Sequence, residues 1–144
     1  YMFDINDEAQ KGLDDIKESG YEVTNATIDV CANSENSRPL QMSVEQWLSN
    51  ICKSKLVITD SFHACVFSIL FNTPFVVWTN EERGNTRVES LLNMFDLQDR
   101  IVKSYSDFKR VKDNLFIKLN SNKISGVINN WQAKTWDFLD SVGL

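Results

Sequence analysis

Apolar positions along this chain fall into two kinds of run, and the two kinds alternate. Leu56-Val57-Ile58-Thr59 and Phe75-Val76-Val77-Trp78 are unbroken apolar blocks. Such blocks predict strands covered on both faces, as in a parallel sheet. The other kind repeats at helical spacing. Val44, Trp47, Leu48 and Ile51 form one stripe, and Val88, Leu91, Leu92 and Phe95 form another. Phe62 to Phe71 is almost wholly apolar and predicts a helix enclosed on most sides.

Local signals set the ends of these elements. Asn6 or Asp7 can cap a helix running to about Ser19, with Ala9, Leu13 and Ile16 inward and Gly20 just past its end. Ser43 with Gln46 and Thr86 with Glu89 read as capping boxes. Asn72-Thr73-Pro74 reads as a turn. Tyr1 to Ile5 and Tyr21 to Val30 read as further strands, residues 31–42 and 79–85 as polar loops, and Ile101-Val102 as a short last strand. A final helix, about residues 122–142, would turn Ile124, Val127, Ile128, Trp131, Phe138 and Leu139 to one face, with Trp136 off it. Trp47, Trp78 and Trp131 are expected in the core. Strands alternating with amphipathic helices predict an α/β fold: a Rossmann-like parallel sheet with helices on both faces.

Composition narrows the function classes. The 144 residues suit one domain, and 42% hydrophobic content is enough for a core. The net charge of −5 argues against nucleic acid as a partner, because phosphate backbones demand basic surfaces. Cys31, Cys52 and Cys65 are widely spaced and only His63 accompanies them, so no metal site is expected. Free cysteines fit a reducing, cytoplasmic compartment. No apolar stretch is long enough to span a bilayer. The chain opens on Tyr-Met-Phe without an initiator Met and is expected to be part of a longer protein.

Two segments carry candidate chemistry. Asp60-Ser61-Phe62-His63 lies where a strand ends and a helix begins. Exposed N–H groups there attract anions, and His63 can exchange a proton beside one. The same residues are also explained if Ser61 or Asp60 merely caps the helix. Asn80-Glu81-Glu82-Arg83-Gly84-Asn85-Thr86-Arg87 likewise follows a strand. Arg83 and Arg87 can grip a carboxylate or phosphate, or they can pair with Glu81, Glu82 or Glu89. Both segments are expected at carboxyl ends of neighbouring strands, where ligands of such sheets bind. No G-x-G-x-x-G, G-x-x-x-x-G-K-[ST] or G-x-S-x-G is present, which argues against the usual dinucleotide, P-loop and hydrolase readings. Cys65, inside the apolar helix, is expected to pack rather than react.

The order Trp47-Leu48, Val57 to Ala64, Phe67-Ser68-Ile69, Thr73 to Val77, Arg87, Ser90-Leu91-Leu92 and Leu97-Gln98-Asp99-Arg100 resembles the polysaccharide pyruvyl transferase family. The likeness is strongest over residues 44–102. Many members carry Arg-Leu-His-Gly where this chain reads Ser61-Phe62-His63-Ala64. The histidine is kept and the arginine is not, which leaves Arg83 or Arg87 to supply charge. The resemblance implies that residues 1–144 are the C-terminal Rossmann-like half of a GT-B-like enzyme whose N-terminal domain lies outside this chain. It implies pyruvyl transfer from phosphoenolpyruvate to two hydroxyls of a saccharide acceptor, which can be lipid-linked, in cell-surface polysaccharide synthesis. No cofactor beyond that donor is implied. The enzyme would work in the cytoplasm, or peripherally at the inner face of the membrane. His63 would be the acid/base or phosphate partner, with Asp60, Ser61, Phe62, Arg83 and Arg87 binding substrate. Two other readings remain: a sugar-nucleotide-dependent glycosyltransferase half-domain of the same fold, and a non-catalytic α/β binding module.

Overall fold

Asn6 starts the first helix, α1 (Asp7–Glu18), by accepting the Ala9 N–H at 2.8 Å through its side chain. The computed structural model describes residues 5–25, 28–29, 40–79 and 85–143. α1 buries Ala9, Gly12, Leu13 and Ile16. It ends as expected at Gly20, whose φ is 87°. Gly20 donates to the Lys17 carbonyl and Tyr21 to that of Ile16, which satisfies two of the last helical carbonyls.

Of the expected strand over 21–30, the described residues 21–25 form no strand, and Ile28–Asp29 (β1) pairs antiparallel with Leu40–Gln41 (β2), in a ribbon separate from the main sheet. The apolar side chains before it are used otherwise. Tyr21 stacks on Phe116 with centroids 4.7 Å apart, and Val23 packs against the core. The expected strand at Tyr1 to Ile5 lies outside the described residues except for Ile5, which is exposed.

Ser43 caps α2 (Val44–Lys53), accepting the Gln46 N–H at 3.2 Å. Ile51 is buried, but Val44 is 68% exposed, contrary to expectation. α2 packs on the next helix through Trp47, edge-on to Phe67 at 5.6 Å, and Val44 stands a turn beyond that contact.

The sheet follows the apolar blocks. β3 (Val57–Thr59) pairs in parallel with β4 (Phe75–Trp78), matching Val57 to Phe75 and Thr59 to Val77. β4 pairs in parallel with β5 (Ile101–Val102), matching Val77 to Ile101. The crossovers are α3 (Phe62–Leu70) and α4 (Thr86–Phe95). Alternation along the strands divides the core in two. Val57, Phe75 and Val77 meet Ile51 of α2, Cys65 and Ile69 of α3, Leu92 of α4, and Ile124. Ile58, Val76, Trp78 and Val102 meet Leu13 and Ile16 of α1, with Phe108 and Leu115. Helices therefore cover both faces.

Several expectations are corrected here. α3 is open at its far end, where Leu70 and Phe71 are exposed. α4 is preceded by Asn85, and no side chain caps it, so Thr86 and Glu89 form no box. Residues 103–120 hold a helix that the apolar pattern did not announce, α5 (Tyr105–Val111), capped by Ser104 accepting from the Asp107 N–H at 3.1 Å. α6 (Ser121–Ser141) exists as expected, but only Ile124 is buried. Trp131 and Phe138 are exposed, because the helix outruns the core beneath it.

Buried Arg100, in a short 3-10 turn at Gln98–Arg100, ties these late elements down. Its Nη1 donates to the carbonyls of Leu115 at 3.1 Å and Phe75 at 3.4 Å, and its Nη2 to that of Ile117 at 3.3 Å.

Candidate functional site

The turn out of β3 is built by two hydroxyls. Thr59 Oγ1 accepts the Ser61 N–H at 3.0 Å, and Ser61 Oγ accepts the Ala64 N–H at 3.5 Å as the cap of α3. The Ser61 carbonyl takes the Cys65 N–H at 3.1 Å. Ser61 is therefore the helix cap, and its own N–H is committed to Thr59. The N–H groups of Phe62 and His63 are the first two of α3 and meet no acceptor among the described residues. They point out at the positive end of the helix, where partial charge favours an anion.

Phe62 organises what surrounds those amides. Its ring is half-buried against the core on the α3 side of the sheet. His63, exposed, meets it edge-on with centroids 5.8 Å apart. Arg87, the second residue of α4, sets its guanidinium 5.8 Å from the same ring centroid. One aromatic ring thus gathers an imidazole from α3 and a guanidinium from α4. Both helices begin at the carboxyl edge of the sheet, after β3 and β4. Arg87 has no carboxylate partner among the described residues, and the expected alternative pairing with Glu89 is not made. A cation in the first turn of a helix opposes the helix dipole, so an anion bound there relieves both.

The structure therefore brings together Ser61, Phe62, His63 and Arg87. Asp60 is half-buried in the same turn and already engaged. Arg83, with Gly84 and Glu81-Glu82, lies outside the described residues. Cys65, two residues on from His63 and on the opposite side of α3, is buried; that burial, with the Asp60 charge adding to it, pushes its thiol up to about 12. A thiol held protonated is a packing group and no nucleophile. The role of the Phe62 ring as a platform for both polar groups is invisible to spacing alone, since Arg87 comes from another helix.

An anion-receptive edge on a parallel α/β sheet is the class of site these residues define. The chain belongs to the polysaccharide pyruvyl transferase family, whose model matches residues 3–82. The match contains Asp60, Ser61, Phe62 and His63 and ends just ahead of Arg83 and Arg87. It begins earlier and stops sooner than the stretch of strongest likeness read from the sequence. No curated protein and no solved structure matches the chain. Among the described residues, no helix is long and apolar enough to cross a membrane.

Proposed function

We propose that this chain carries the donor site of an enzyme that moves a pyruvyl group from phosphoenolpyruvate onto two hydroxyls of a saccharide, forming a cyclic ketal. The observation that carries the reading is the Phe62 cluster, with the His63 imidazole and an Arg87 guanidinium that meets no carboxylate among the described residues, at the helix start where the Phe62 and His63 amides point outward. Phosphoenolpyruvate bears its phosphate and its carboxylate on the same carbon, so it needs two anion-binding groups close together. The α3 amides and Arg87 supply them, and Arg83 is placed by sequence to add a third.

The chemistry runs in balanced steps. A proton adds to the methylene carbon and leaves a cationic centre at the carbon bearing phosphate. One sugar hydroxyl attacks that carbon and loses its proton. The C–O bond to phosphate breaks, and inorganic phosphate leaves with a proton. The second hydroxyl closes the ketal and loses its proton in turn. His63 reaches the donor from its edge and acts as general acid/base or phosphate partner. Arg87 and the amides hold charge as it moves to the leaving phosphate. This chemistry calls for no cofactor beyond the donor. The site would face a second, N-terminal domain in a GT-B-like arrangement. The saccharide acceptor, where lipid-linked, would draw the enzyme to the inner face of the membrane.

The test is replacement of His63 by Gln in the full-length protein, assayed by acceptor-dependent phosphate release. Transfer should fall about a hundredfold or more, the usual worth of a positioned acid or base. Undiminished turnover would remove His63 from proton transfer.

A further inference from the structure

The edge strand of the sheet borders a second polar concavity. Between α4 and α5, along β5, opens a cleft of about 480 Å³ with Ile101 in its floor. That volume lies within the range of small-molecule sites. Glu89 and Asn93, one turn apart on α4, form one wall. Lys103, Asp107 and Arg110 form the other, and Gln98 stands at the end.

Part of this lining is fixed. Asp107 accepts from the Lys103 N–H at 3.3 Å and from Ser104 Oγ at 3.1 Å, and Arg110 pairs with it at 3.0 Å. Gln98 Nε2 donates to Asn93 Oδ1 at 2.7 Å. The Lys103 ammonium, the Glu89 carboxylate, the Asn93 amide N–H₂ and the Gln98 carbonyl remain without partners among the described residues. The cleft thus offers donors and acceptors in equal measure. Its two carboxylates offset its two cations, so it has no net field to gather a polyanion. A neutral ligand rich in hydroxyls, each both donor and acceptor, matches that inventory.

We propose that this cleft is a saccharide subsite, taking a neutral sugar of the acceptor chain a few units away from the one that reacts. The proposal rests on the pyruvyl transferase reading. Arg87 and Glu89, two positions apart, lie on opposite sides of α4. The helix, about 10 Å across, therefore separates the cleft from the Phe62 cluster. A sugar in the cleft is too far from the donor to be pyruvylated. It registers the polymer while the following units round the start of α4 to the donor.

The experiment uses the full-length protein on a printed array of neutral and acidic oligosaccharides, with phosphoenolpyruvate binding measured separately by calorimetry. Neutral oligosaccharides should be retained. Lys103→Ala and Glu89→Gln should each weaken that retention about tenfold, the loss of one charge-assisted hydrogen bond. Both variants should bind phosphoenolpyruvate as the parent does and melt at the same temperature, since both side chains project from the surface. Failure to retain any neutral oligosaccharide, or retention unchanged in both variants, overturns the subsite. Failure of the parent to bind phosphoenolpyruvate overturns the donor reading instead, whatever the array shows.

Discussion

Replacing Phe62 by Leu removes the ring that gathers His63 and Arg87 while keeping an apolar side chain over the core. The Arg87 guanidinium sits 5.8 Å from the ring centroid, near the outer limit of a useful cation–π contact, so about 0.5 kcal/mol is lost there. The edge-on imidazole, also at 5.8 Å, contributes about 0.5–1.5 kcal/mol. Together these order the two groups by about 1–2 kcal/mol. Donor binding that relies on their placement should weaken about five- to thirtyfold. Phe62→Tyr keeps the ring and should stay within about twofold of the parent. The assay is calorimetric titration of the full-length protein with phosphoenolpyruvate, alongside the KM for that donor. The melting temperature serves as a control for lost packing. A Phe62→Leu protein that melts lower yet binds the donor with full affinity would show that the ring serves the core alone.

Three further outcomes follow from packing and charge. A Cβ on Gly12 would meet the buried Trp78 ring at 2.9 Å. Gly12→Ala should therefore destabilise by about 1 kcal/mol, overpacking of about 2 exceeding a helix-propensity gain of about 1; a raised urea midpoint would contradict this. Arg100→Met strips donors from the carbonyls of Phe75, Leu115 and Ile117 and should cost about 3 kcal/mol in denaturant titration. Arg100→Lys should rescue little, since one ammonium cannot reproduce the fork. Glu8, hydrogen-bonded by Lys11 and then by the Tyr105 N–H, is held below its ordinary value. Its contribution is present above the usual glutamate value of about 4.3 and is lost as pH falls through the lowered folded value. Glu8→Gln should flatten the acid limb of a melting-temperature profile, and an equally steep limb would discount the contact.

What the sequence showed of the fold was strongest where burial is two-sided. β3, α3, β4, α4 and β5 were legible because their apolar runs and Ser61 cap leave little choice. α5 was missed because it has seven residues and one buried side chain, Phe108. Its readable sign was Ser104 three positions before Asp107. The α6 stripe reads correctly as a helix, but periodicity shows only that a face is apolar and not what lies against it; hence Trp131 was misplaced in the core. Thr86 was a poor guide to the start of α4, since Asn85 takes the cap position without using its side chain. At the site, Ser61, His63 and Arg87 were legible from strand ends. The shared Phe62 ring and the cleft beside β5 depend on side chains from separate elements meeting in space, which local patterns do not encode.

The long last helix has a mechanical consequence. At 21 residues it extends about 31 Å, and it is clamped only near its root. There Ile124 enters the core and Lys123 pairs with Asp96 at 2.7 Å. Past Trp131 the turns are held chiefly by their own backbone bonds, which in isolation are marginal. The element is a cantilever, stiff at the base and soft along the beam. Its base bears on the trailing end of α4, whose leading end carries Arg87. A load on the outer turns would bend or unwind them before it strained the root, so the seat on α4 would hold while the tip gave way.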